Sequence, residues 1–71
     1  MEWFHTDNVY PCKKYEQVRV LMYSKEWSTY VDGLYDRTGD KPKWFCYDPD
    51  RDKFYDWIEP DWFMRVKLPG R

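Results

Sequence analysis

The sequence predicts an all-β protein: a small curled antiparallel sheet or SH3-like barrel of four or five short strands, in one domain spanning residues 1–71. Two observations carry this. Short segments rich in Val, Tyr, Trp and Phe alternate with turns built from Gly, Pro and Asp, the spacing of a small β fold. Against a helical fold, the chain has no Ala, the best helix former.

The first strand is expected over residues 17–24 (QVRVLMYS), where alternation puts Val18, Val20 and Met22 on one face and Arg19, Leu21 and Tyr23 on the other. A helix over residues 13–27, carried by Tyr15, Val18 and Met22 with Pro11 near its start, is the alternative. After a turn at Ser24, Lys25 and Glu26, residues 27–36 (WSTYVDGLYD) read as a second strand. Within it, Asp32-Gly33 fits either a bulge in one long strand or a hairpin turn between two short ones. Residues 37–42 (RTGDKP) are a loop punctuated by Gly39, Asp40 and Pro42. Two aromatic strands follow, residues 43–47 (KWFCY) and 53–58 (KFYDWI). Between them Asp48-Pro49-Asp50 has the order a type I turn prefers, so this is the clearest hairpin in the chain. Glu59-Pro60-Asp61 interrupts the pattern before a last strand over residues 62–68 (WFMRVKL), and Pro69-Gly70-Arg71 forms an exit tail.

So short a chain needs core residues that each remove a large area from water, and its sixteen aromatics do this where Leu, Ile and Val total only nine. Thirteen acids against twelve bases leave a net charge of -1, which disfavours a basic nucleic-acid saddle, and no direct nucleic-acid contact is expected. The first residues carry neither a basic stretch nor an apolar run, so no signal peptide, membrane span or membrane contact is expected and the location read from sequence is cytoplasmic. Cys12 and Cys46 are too few for a disulfide framework, and with His5 they lack the spacing of a zinc site. No cofactor is called for. With one histidine and no nucleophile, base and acid in a recognisable arrangement, the sequence does not read as an enzyme.

Residues 48–61 concentrate charge: Asp48, Asp50, Asp52, Asp56, Glu59 and Asp61 against Arg51 and Lys53, a net of -4, leaving +3 on the remainder. Interleaved with aromatics, this segment suits a basic groove on another protein, with Tyr55 and Trp62 as anchors. The acids from Asp48 to Glu59 also share the spacing of a calcium-binding EF-hand loop. Lys53 stands where that loop needs Gly, however, Pro60 follows the last ligand place, and strand-like sequence precedes the first. The alternative function is small-molecule or nucleotide sequestration by the aromatics together with Lys13, Lys14, Arg19, Arg37 and Arg65, without a glycine-rich phosphate loop to support it. A homodimer is compatible with a small β domain that leaves strand edges unprotected.

The order Trp3, Pro11, Val18-Arg19-Val20, Gly33-Leu34-Tyr35, Trp44, Trp57 and Leu68-Pro69 resembles that of small phage- and prophage-encoded proteins of unknown function. It departs from them at Asp56-Trp57, where they tend to have His-Trp, and in the acidic turn Asp48 to Asp52. The resemblance implies a phage or mobile-element accessory protein with a small β fold. Such a protein is expected to bind a host protein in the host cytosol and to inhibit or modulate it, as in evasion of host defence. No catalytic residues carry over from the resemblance.

Overall fold

The computed structural model describes residues 2–66. They form six strands: β1 (Phe4–His5), β2 (Gln17–Tyr23), β3 (Val31–Asp36), β4 (Lys43–Asp48), β5 (Lys53–Trp57) and β6 (Trp62–Arg65). All pairings are antiparallel within one open sheet of order β1-β6-β2-β3-β4-β5, the curled sheet expected rather than a closed barrel. Among these residues no helix is long and apolar enough to cross a membrane.

Chain length forces the curl. Strand β5 ends at Trp57 and β6 begins at Trp62, yet three strands lie between them in the sheet. Four inter-strand spacings span about 19 Å on a flat sheet. Five residue steps reach about 18 Å at full extension, and Pro60 is buried within them. The sheet therefore bends until Trp44 of β4 touches Phe63 of β6 across its concave side, with ring centroids 6.1 Å apart.

Register assigns the faces. Val18 lies opposite Tyr35, Val20 opposite Gly33 and Arg65, Met22 opposite Val31 and Phe63, and Tyr35 opposite Trp44. These line the concave face, whose core is Val20, Met22, Tyr35, Trp44 and Phe63, with Phe4, Val18, Cys12 and Trp27 packed against it. Three of those five core residues are aromatic, as the scarcity of branched aliphatics requires.

The first strand lies where alternation put it, and no helix forms over residues 13–27. The next begins only at Val31, because Trp27–Tyr30 leave the ladder and Trp27 folds over the concave face, its ring 6.1 Å from that of Trp57. Gly33 is neither bulge nor hairpin turn: it sits in unbroken pairing between Val20 and Cys46. A side chain there would collide with the Phe45 carbonyl oxygen and the Met22 methyl, so the bend passes over this glycine. Strand β1, too short to show in the sequence, is held by Phe63 and Trp62 of β6. The last strand ends at Arg65, and positions 67–71, including the end of the predicted strand and the tail, lie outside the described residues.

The loop from β1 to β2 is tied down by two arginines. Arg65 Nε donates to the Pro11 carbonyl at 2.6 Å and Arg65 Nη2 to that of Tyr10 at 3.2 Å, while its guanidinium lies over Phe4 and Phe63. Arg37 Nη1 donates to the Cys12 carbonyl at 3.0 Å with its guanidinium 4.0 Å from the Tyr10 ring centre. The loop then enters β2 through a turn in which Glu16 N donates to Lys13 O at 3.3 Å, and Tyr15 takes φ 69°, a position suited to glycine.

Candidate partner-binding surface

The β4–β5 hairpin is the most prominent feature outside the core. Its loop runs from Asp48 to Lys53, which face each other in the ladder. Asp48 Oδ1 accepts from the Asp50 amide at 3.0 Å, the local turn that Asp before Pro favours. Asp52 closes the loop at φ 52°, and Tyr47 Oη donates to its carboxylate at 2.6 Å. That hydrogen bond, with the negative charge behind it, holds the Tyr47 hydroxyl above the ordinary phenol range.

Tyr47 also belongs to a ladder on the convex face. Arg19 of β2 places its guanidinium 4.8 Å from the Tyr47 ring centre and 5.3 Å from that of Phe54, and Tyr47 and Phe54 lie 5.0 Å apart. Asp32 fixes Arg19 through two hydrogen bonds of 2.9 and 3.0 Å, and Arg19 Nε donates to the Gly33 carbonyl. Leu34 and Phe45 are paired beside it on the same face. The hairpin is thus braced from the middle of the sheet to its tip.

Strand β5 forms the free edge, and all five of its residues are exposed. Phe54, Tyr55 and Trp57 keep 39–41% of their surface in water, and Ile58 just beyond keeps 62%. Tyr55 and Trp57 point to the concave side, Phe54 and Asp56 to the convex side.

The acids expected to act together are divided among four places. Asp48, Asp50 and Asp52 share the hairpin tip with Arg51 and Lys53. Asp56 lies on the convex face opposite Phe45. Glu59 borders a depression of about 420 Å³ shared with Thr6, Tyr10, Tyr35 and Trp44. Asp61 works locally: its amide donates to Ser24 Oγ at 2.9 Å, and its carboxylate accepts from the Lys25 amide at 3.3 Å. Trp62 is half-buried in β6 with its ring edge against His5, centroids 4.9 Å apart, which makes it a packing residue first. The Asp48 to Glu59 segment is a hairpin rather than a helix-flanked loop, and among the described residues no group of three His, Cys, Asp or Glu side chains could hold a metal ion.

Of the cations considered for a nucleotide, Lys13, Arg37 and Arg65 border one depression of about 640 Å³ with Tyr10, and Glu16 lies among them. Arg19 is on the convex face with Asp32, whereas Arg37 and Arg65 point their donors at loop carbonyls. Both cysteines are free, and burial, the largest cause in each case, pushes their thiols above the usual range, away from the nucleophilic thiolate. Sequence reading missed the Arg19–Tyr47–Phe54 ladder. Alternation along β2 does turn Arg19 away from Val18 and Val20, but which strand lies over it is a matter of register.

No family model, curated protein or solved structure matches this chain. A functional reading therefore rests on the hairpin itself.

Proposed function

We propose that this chain is a non-catalytic protein-binding module that presents its β4–β5 hairpin to a basic surface of a larger host protein and modulates or inhibits it. The observation that carries this reading is the bracing of an exposed hairpin tip, where Asp48, Asp50 and Asp52 stand beside Arg51 and Lys53, by a buttressed aromatic face. Tyr47 holds Asp52, and Arg19 holds Tyr47 and Phe54. A surface held in place before binding loses little side-chain freedom on association. Exposed Phe54 on that face, with Tyr55 on the other side of the same strand, supplies apolar area of the kind that anchors interfaces. The resemblance to phage accessory proteins supplies the host setting.

Within the tip, Asp50 contributes only its backbone amide to the turn, so its carboxylate is the one to reverse. The test is a pull-down from bacterial lysate with wild type beside Asp50→Lys, at low and high salt. A protein retained by wild type, lost by the variant and weakened by salt supports the reading, because exposed charge pairs are screened within about 10 Å at 0.1 M salt. Equal retention by both forms refutes the charged contact. If no protein is retained but a compound of a few hundred daltons raises the melting temperature, small-ligand binding replaces this reading, with the depression bordered by Tyr10, Lys13, Arg37 and Arg65 as its seat.

A further inference from the structure

The two edges of the sheet differ. At one, β1 is only two residues long and leads into a turn, so it offers little for another strand to pair with. At the other, β5 is a five-residue strand without proline, exposed on both faces, with a row of backbone donors and acceptors that no strand of the described chain pairs. Natural edges are blunted by proline, a bulge, a covering segment or charged side chains, and among the described residues β5 carries only the last of these, Lys53 and Asp56.

We propose that the occupant of this edge is a second copy of the chain, its β5 running antiparallel about a two-fold axis at Tyr55, so that two sheets join into one. This goes beyond the partner reading above: it uses the backbone edge of β5 from Lys53 to Trp57, whereas that reading uses the side chains of the turn before it.

Register follows from symmetry and charge. A two-fold axis perpendicular to the sheet keeps each residue on its own face, so residues that meet across the axis must share a face. Only three central registers satisfy this within β5. Centring on Phe54 sets Asp52 against Asp56, and centring on Asp56 sets that carboxylate against its own copy. Directly opposed like charges are unfavourable, and Asp56 has no ion-pair partner among the described residues to offset them. Centring on Tyr55 opposes no like charges. It sets the two Tyr55 rings against each other and brings Lys53 of each copy to the Trp57 ring of the other. The Lys53–Trp57 contact occurs twice, whereas the Tyr55 pair, on the axis, occurs once.

The area indicates a weak dimer. At 39–41% exposure, Phe54, Tyr55 and Trp57 each have about 60–100 Å² available, and with Ile58 the two copies together bury less than about 1,200 Å², the lower bound of standard interfaces. Association is therefore expected to be concentration-dependent. A net charge of -1 per chain opposes it little.

Sedimentation of the purified full chain, without any other protein, tests this from about 1 μM to about 1 mM. The expected result is a shift from the monomer mass toward twice that mass across the range. Lys53→Ala should weaken association about tenfold because it removes two symmetric cation–ring contacts, and Lys53→Arg should retain it. A short bis-maleimide should cross-link Tyr55→Cys faster than Asp56→Cys, both in a Cys12→Ser/Cys46→Ser background because both native cysteines are free and Cys46 lies opposite Tyr55 within the same copy. A wild type that stays monomeric at the top concentration overturns the dimer without recourse to any variant. Equal association of Lys53→Ala and wild type, or faster cross-linking at position 56, overturns the register. None of these outcomes depends on whether a host protein binds the acidic tip.

Discussion

Replacing Gly33 by alanine probes the bend on which the core depends. Gly33 pairs with Val20 on one side and Cys46 on the other, and an added methyl would overlap the Phe45 carbonyl oxygen and the terminal methyl of Met22. The two obstacles respond differently. Met22 is fully buried but has three rotatable bonds, whereas the Phe45 carbonyl is backbone in a paired strand and moves only if β4 shifts against β3. Overpacking a core costs about 1–3 kcal/mol. A shifted ladder adds about 1 kcal/mol for each weakened hydrogen bond, so Gly33→Ala should cost about 2–4 kcal/mol. A domain of this length has a total stability of about 4–10 kcal/mol, which makes the loss a large fraction. Urea unfolding followed by tryptophan fluorescence reads it directly, since Trp44 lies in the core beside Tyr35, ring centroids 4.5 Å apart. The midpoint should fall with little change in slope. Adding Met22→Ala should not restore stability, because it leaves the carbonyl in place and opens a cavity. A loss below about 0.5 kcal/mol for Gly33→Ala, the level of an ordinary surface substitution, would refute the argument that the bend requires a bare backbone.

Other expectations address the loop, its turn and the acid limb of stability. Arg65→Ala should destabilise by about 1–2 kcal/mol and speed proteolysis after Lys13 and Lys14, since the Tyr10 and Pro11 carbonyls lose their donor; Arg65→Lys should rescue little, because a single ammonium does not reproduce the planar fork. Tyr15→Gly should raise the melting temperature by a few degrees, equivalent to about 0.5–1 kcal/mol, because a left-handed backbone is strained for a side-chain-bearing residue and the Tyr15 ring is largely exposed. The Asp36 carboxylate is held below its ordinary range first by the Thr38 hydroxyl, then by the Thr38 amide and Gln17. Its contribution is therefore present above the unfolded carboxylate pKa of about 3.9 and is lost as pH falls through the lower folded value. Asp36→Asn should flatten the acid limb of a stability-against-pH curve, and an unchanged limb would show that these hydrogen bonds do not favour the charged form.

Local chemistry made much of the fold legible. The Val-Arg-Val alternation fixes β2 and its faces, and Asp48-Pro49-Asp50 fixes the β4–β5 turn, because both depend on neighbours within a few residues. The aromatic core follows from composition, since so short a chain with few branched aliphatics must bury rings. Gly33 shows where local reading ends. Asp-Gly is a good turn dipeptide, yet here the glycine is required by close approach to Phe45 and Met22, residues distant in sequence.

The candidate surface was legible only in part for the same reason. Charge counting found the acidic segment, and residue type singled out Tyr55 as a candidate anchor. Whether six acids make one surface depends on where each strand turns them. The alternation of β5 separates Asp56 from Tyr55, and the chain's passage across the curled sheet carries Glu59 and Asp61 away from the tip. Alternation, turn chemistry and composition mark five of the six strands and an aromatic core, all properties of neighbouring residues. That Arg19 stacks on Tyr47 and Phe54, and that β5 ends the sheet as a free edge, emerges only from the folded arrangement. Those facts are set by register and strand order, which arise when distant segments share one small core.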